Sequence, residues 1–275
     1  MFIFIDSIDD LAQLNLELSR KPYLAVDTEF RRTSKYNMRL ALLQVNDGEE
    51  TYLIDTILID DPGTHANFLF SKSVLKILHS CKEDLEAIYS WTNKEMINIY
   101  DTQIANSLLG GEYAISYQAL VEKELGIVLN KNETRSNWIR RPLTDSQLKY
   151  AVLDVEYLIN IYKIQFSELS TNSKLTWLYQ DIEKLSHVIF SAPLSIYESK
   201  RTLSKAEEIE MLDRFNAVVE DISQRENINP TLFFSKKSQK EFLRLVFLEG
   251  LSSACQGITE WRSQLIKGDI LDLIK

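Results

Sequence analysis

Two cysteines and three histidines among 275 residues leave little material for a disulfide framework or a soft-metal centre. Cys81 and Cys255 stand far apart, and His65, His79 and His187 are scattered, so no zinc spacing is present. There is also no apolar run near the ~20 residues that a membrane span needs. The opening Phe2-Ile3-Phe4-Ile5 is too short, and too soon followed by Asp6, for a signal sequence. A reducing cytoplasm and no membrane are therefore expected. Internal repeats and low-complexity tracts are lacking too. Positive charge is in deficit: 31 Lys and Arg face 40 Asp and Glu, for a net charge of −9. The deficit lies mainly in residues 1–165, where 17 basic residues oppose 24 acidic ones. Attraction of a polyanion by bulk charge is excluded, so any such partner must be held by local groups.

What the chain has instead is acids in informative places. Tyr23-Leu24-Ala25-Val26 is apolar enough for a buried strand and ends in Asp27-Thr28-Glu29. Side chains alternate along a strand, so Asp27 and Glu29 share a face. Val74 to His79 reads as a second strand, and Lys82 to Trp91 as a helix with Leu85, Ile88 and Tyr89 inward, which puts Asp84 in the first helical turn. A long amphipathic stretch opens at Thr144 or Asp145, a good N-cap, and carries Leu148, Leu153, Val155, Leu158 and Ile161 at helical spacing. Tyr150 and Asp154, four apart, fall on one face of that helix. Each piece alone has an ordinary explanation: a solvated strand end, an acid favouring a helix dipole, a half-buried Tyr beside a surface Asp. Their combination and order carry the weight.

The flanking residues sharpen it. Val26-Asp27-Thr28-Glu29-Phe30-Arg31-Arg32, Leu40-Ala41-Leu42-Leu43-Gln44-Val45, Leu78-His79-Ser80-Cys81-Lys82-Glu83-Asp84-Leu85, Tyr100-Asp101-Thr102-Gln103, Ser136-Asn137-Trp138-Ile139-Arg140-Arg141-Pro142-Leu143, and Tyr150 with Asp154 resemble the ribonuclease D family in sequence and order. The resemblance covers roughly residues 1–165. It includes all five groups of the DEDDy class of 3′–5′ exonucleases. One departure is Ser80-Cys81-Lys82, where smaller residues are expected before the Glu-Asp pair.

The chemistry agrees with the resemblance. Hydrolysis of a phosphodiester needs hydroxide at neutral pH and charge compensation on the leaving oxygen, which two divalent ions supply together. Mg²⁺ or Mn²⁺ prefers oxygen ligands, and four carboxylates without clustered His or Cys suit that preference. Crowded carboxylates without a cation would repel and raise one another's pKa values. The resemblance implies that Asp27 bridges both ions, Glu29 and Asp154 hold the first, and Asp84 serves the second partly through water. It also implies that Glu29 meets the terminal 3′ hydroxyl. Tyr150, whose ordinary pKa is about 10, is a poor base at pH 7. It is expected to orient the attacking water. A related class uses His at that place, and no His lies between Tyr150 and Asp154.

For the substrate, Arg31, Arg32, Lys35 and Arg39 follow the first acidic motif, and Arg135, Arg140 and Arg141 precede the Tyr150 helix. Phosphate contact is expected from Arg31, Arg32, Arg140 and Arg141, weighed against solvated loops and a capping linker. Tyr113 and Tyr117 bracket a helix start and are candidates for stacking on a base, against plain packing. Trp138 is expected to be structural, and His79 to pack at a strand end.

The element order is strand 2–5, helix 7–18, strands 23–30, 38–46 and 50–54, then alternating helices and short strands to a helix over 144–166. This pattern predicts an α/β fold with a mixed sheet of RNase H-like kind and an antiparallel part. Ser167 to Lys174 is the linker candidate. An exonuclease domain over 1–170 is followed by an almost wholly helical pattern over 171–275. There, Ile228-Asn229-Pro230 to Lys237 and Trp261-Arg262 weakly resemble the HRDC domain, with Lys236, Lys237, Lys240 and Arg244 as a basic side. Three readings are compatible with these residues. The first, which the resemblance implies, is a 3′–5′ exoribonuclease releasing nucleoside 5′-monophosphates from the 3′ ends of RNA such as tRNA precursors. The second is a DNA-directed exonuclease of the same chemistry. The third is a non-catalytic RNA-binding module, which the presence of all five groups disfavours.

Overall fold

The structure is a computed structural model describing residues 2–34, 37–129, 136–190 and 205–273, excepting the side chains of 206, 207 and 271–273. The described chain divides into two compact units, residues 1–103 with 115–167 and residues 104–114 with 168–275.

The first unit is built on a six-stranded sheet. Its strands are β1 (Phe2–Ile5), β2 (Tyr23–Ser34), β3 (Asn37–Asn46), β4 (Thr51–Ile54), β5 (Leu75–Leu78) and β6 (Ile99–Asp101), in the spatial order β1-β4-β3-β2-β5-β6. The β2/β3 and β3/β4 pairs are antiparallel, whereas β1/β4, β2/β5 and β5/β6 are parallel. This is the mixed sheet expected, with three consecutive strands forming its antiparallel part. Strands β2 and β3 are long and apolar through Leu24-Ala25-Val26 and, apart from Gln44, Leu40 to Val45, all buried, as interior strands covered on both faces must be.

Several helices begin where the sequence supplies caps. Ser7 accepts from the Asp10 amide at the head of α1 (Ile8–Leu18). A short 3₁₀ turn, Asn67–Phe70, precedes β5, and α2 (Lys82–Thr92) follows it. After β6 come α3 (Thr102–Leu108) and α4 (Tyr117–Leu125), the latter capped by Ser116. Thr144 and Gln147 close a reciprocal capping box on α5 (Asp145–Glu156). The single helix expected over 144–166 is in fact two, because the chain breaks at Tyr157 before α6 (Leu158–Thr171). The Tyr117 hydroxyl bridges this break, donating to the Leu153 carbonyl at 3.0 Å and accepting from the Tyr157 amide at 3.1 Å. Helix α6 also runs through much of the linker candidate, leaving only Asn172 to Lys174 outside helix.

The second unit is helical: α7 (Leu175–Phe190), α8 (Lys205–Arg225), α9 (Pro230–Phe234), α10 (Lys236–Glu249), α11 (Leu251–Gln256) and α12 (Glu260–Leu273). Its core is aromatic, with Trp177 stacked on Trp261 and Phe233, Phe234, Phe215 and Phe242 in successive ring contact. Arg262 fastens it by pairing with buried Asp181 and donating to the Phe233 and Leu232 carbonyls. Lys174, written as linker by its polarity, is buried, and its ammonium donates to the carbonyls of Leu108, Glu226 and Asn227. On the basic side, Lys237 pairs with Glu241, Lys240 with Glu208, and Lys236 bonds Asn216. No described helix is long and apolar enough to cross a membrane.

Candidate active site

Strand β2 brings the first two acids to the site. Asp27 pairs across the sheet with Gln44, and Glu29 with Leu42. Between Glu29 and Phe30 the register shifts: Phe30 faces Leu40, so Ala41 is an extra residue on β3. Helix α5 contributes Asp154 and Tyr150. One carboxylate oxygen each from Asp27, Glu29 and Asp154 lies within 4.8 Å of the others. Tyr150 and Asp154 lie near each other on one face of α5, as their i, i+4 spacing allows, and the Tyr150 hydroxyl favours the charged form of Asp154.

Asp84, in the first turn of α2, reaches the cluster through tertiary contacts. It is buried, and the Thr28 hydroxyl donates to its Oδ1 at 2.5 Å. The segment that feeds it in is organised by Asp101, which is 1 % exposed. Its carboxylate accepts from the amides of Ser80 (3.2 Å), Cys81 (2.7 Å) and Gln103 (2.8 Å). Ser80 is held at φ 60°, a left-handed conformation that favours glycine. That conformation gives a physical ground for expecting smaller residues at this place. Asp101 and Thr28 both lie in the motifs quoted above. Their roles became visible only through partners 20 to 56 residues away.

The electrostatics are those of like charges packed together. Burial, then the charges of Asp84, Asp154 and Glu29, push the Asp27 carboxyl well above its ordinary range. Burial followed by Asp154 and Asp84 raises Glu29 to about 9. Asp84 rises to about 7, chiefly by burial and against the lowering effect of the Thr28 hydrogen bond, and Asp154 also rises to about 7 by burial. Three carboxylates that converge on one space, with Asp84 close enough to raise Asp27, Glu29 and Asp154 further, match the oxygen donor set of a hard divalent cation. Burial and the nearby carboxylates raise the Tyr150 phenol, so it stays protonated at neutral pH.

The expected substrate residues separate. Arg31 and Arg140 are exposed. Arg32 is ion-paired, 2.5 Å from Glu86 and 3.4 Å from Glu83. Arg141 corrects its expectation. Its Nε and Nη2 hold the fully buried Asp55 at 2.5 and 2.7 Å, and its remaining donors go to the carbonyls of Trp138, Arg140 and Ala41. With every donor on a protein acceptor, none is left for a phosphate. Tyr113 is exposed and belongs to the second unit, whereas Tyr117 is a buried hydrogen-bonding residue and not a stacking platform. Trp138 is buried with Leu42, Leu53 and Ala151. His79, just beyond β5, is bonded to Thr102 Oγ1 and the Ile115 carbonyl. Lys35 and Arg135 lie outside the described residues.

A mixed sheet whose long central strand delivers two acids to a third on a flanking helix, with a fourth entering from a helix start, defines an α/β protein with a divalent-cation centre. A family profile described as 3′–5′ exonuclease matches residues 2–169. The chain belongs to the 3′–5′ exonuclease family. It is 36 % identical over 193 residues to a ribonuclease D of a Shewanella species, covering 70 % of this chain and 50 % of that protein. It is 42 % identical over 171 residues to ribonuclease D of Pseudomonas paraeruginosa, covering 62 % and 45 %. The chain thus spans about half the length of the curated relatives it matches. The crystal structure of Escherichia coli RNase D, described as an exoribonuclease involved in structured RNA processing, matches with a TM-score of 0.67 at 26 % identity, covering 100 % of this chain and 74 % of that one. The resemblance to ribonuclease D carried by the motifs is borne out by these matches.

Proposed function

We propose that this protein is a 3′–5′ exoribonuclease of ribonuclease D type, removing nucleoside 5′-monophosphates from the 3′ ends of structured RNAs, tRNA precursors among them, in the cytoplasm. The observation that carries the reading is the convergence of Asp27, Glu29 and Asp154 in one space, with Asp84 joined to their strand through Thr28. In this reading the four carboxylates hold two ions, Mg²⁺ or Mn²⁺. Bound there, the ions supply hydroxide at neutral pH and compensate charge on the leaving oxygen. The remaining work falls to the chain. Glu29 positions the terminal 3′ hydroxyl. Tyr150, protonated, turns its hydroxyl from Asp154 toward the attacking water and aligns it. Arg31 and Arg140, both exposed, hold phosphates. In domain terms the reading is an exonuclease domain over 1–170 and an HRDC-like helical domain over 171–275, with residues 104–114 clustering with the second unit.

The test is a time course on 5′-labelled RNA ending in a 3′ hydroxyl, with Mg²⁺, Mn²⁺ or EDTA, and on the matched DNA strand. The expected result is a metal-dependent ladder shortening from the 3′ end of RNA, absent in Asp154→Ala. Equal rates on DNA move the reading to the DNA-directed exonuclease. RNA binding without shortening in either metal moves it to the non-catalytic module.

A further inference from the structure

Gln44 lies near the end of β3 and is 0 % exposed. Neither its Oε1 nor its Nε2 makes a hydrogen bond to any described protein atom. A buried amide with both ends unsatisfied destabilises a fold, and an apolar residue of the same shape would remove that cost. Its location gives a reason for it. Gln44 is the direct antiparallel partner of Asp27 on one side and of Leu53 on the other. Directly opposed residues share a face with their Cβ atoms about 5 Å apart. By alternation Leu42, the partner of Glu29, lies on that face too. Leu42 and Leu53 are packed beneath Ala151 of α5, the helix that carries Tyr150 and Asp154. On that face the register sets the amide beside Leu42 and Leu53, with Asp27 directly opposite and Glu29 on the diagonal as the hydrogen-bonding side chains of β2.

We propose that Gln44 is a positioning residue for the cation centre: its amide, unpaired in this structure, donates to the Asp27 carboxylate once a divalent ion is bound and holds it in place. This rests on the metal-dependent reading above but concerns a residue that touches neither ion nor substrate. Such supporting hydrogen bonds fix a ligand's rotamer, and losing one typically weakens metal binding about 10- to 100-fold. A purely structural glutamine behaves in the opposite way: its replacement lowers stability and leaves the ion's affinity alone.

The experiment compares the full chain with Q44M and Q44L by two readouts that need no turnover. These are calorimetric titration with Mn²⁺ and the thermal midpoint in EDTA. We expect Mn²⁺ binding weakened at least tenfold and an EDTA midpoint equal to or above the wild type. Unchanged Mn²⁺ affinity with a lowered midpoint overturns the proposal, as does a wild-type protein that binds no Mn²⁺. A wild type that binds Mn²⁺ yet degrades no RNA sinks the exoribonuclease reading and leaves the comparison at Gln44 intact. Should neither apolar variant fold, Q44N retains an amide drawn back by one methylene. Weakened Mn²⁺ binding there supports the proposal, and wild-type affinity overturns it.

Discussion

The site's chemistry turns on single groups whose environments set what they can do. Tyr150 is the clearest case. Its phenol is raised by burial and by Asp154, so at pH 7 it keeps its proton and can serve as a hydrogen-bond donor but not as a base. Tyr150→Phe should therefore lower turnover roughly a hundredfold while Mn²⁺ affinity by calorimetry stays unchanged. An equal loss of both would make Tyr150 part of the cation site. Its place four residues before Asp154 is plain in the sequence, because helical periodicity is local. That Thr28 would fasten Asp84 is not, since the two are 56 residues apart and meet only when α2 packs beside β2.

At the scale of elements, adjacent arginines have different fates. Arg140 and Arg141 are alike in sequence, yet Arg140 is exposed, whereas Arg141 ties the extra residue Ala41 of β3 and buried Asp55 to the segment before α5. Breaking a buried pair by removing one partner strands the other charge. Arg141→Met should cost about 3–5 kcal/mol of stability in urea denaturation. Arg140→Ala should leave the urea midpoint in place but weaken RNA binding, and reduce the salt dependence by roughly one phosphate contact. The reverse pattern would return Arg141 to the substrate. The break between α5 and α6 belongs to the same scale. Apolar periodicity runs straight across Tyr157, and the Tyr117 hydroxyl, 40 residues earlier, bridges the interruption.

Across the whole molecule, the acid cluster couples stability to pH and to metal. In the metal-free protein Glu29 at about 9 and Asp84 and Asp154 at about 7 keep protons that the unfolded chain releases near pH 4. The folded state then binds more protons than the unfolded one, so stability is fully present below about pH 4 for these groups and falls as pH rises through 7 toward 9. Thermal midpoints in EDTA should decline across pH 5 to 9. Mg²⁺ or Mn²⁺ should raise them most at the alkaline end, because the ions replace those protons. Midpoints that do not respond to metal at pH 8 would remove the cation centre from the account. Net charge points the same way: at −9 the chain draws no polyanion by bulk attraction.

The sequence by itself determined what is short-range. The strand alternation that pairs Asp27 with Glu29, the four-residue step from Tyr150 to Asp154, the caps at Ser7, Ser116 and Thr144, and the apolar runs of β2 and β3 all follow from backbone periods and local hydrogen bonds. Tertiary structure decided which groups meet. Asp101 gathers the turn that delivers Asp84, Arg141 is consumed by Asp55 and not left for phosphate, Lys174 of the polar linker is buried under three carbonyls, and Gln44 is sealed beside Asp27. These outcomes depend on burial and on partners tens of residues away. A side chain's charge and polarity are written in the chain, but whether that charge is neutralised, desolvated or left to a ligand depends on what the fold packs against it.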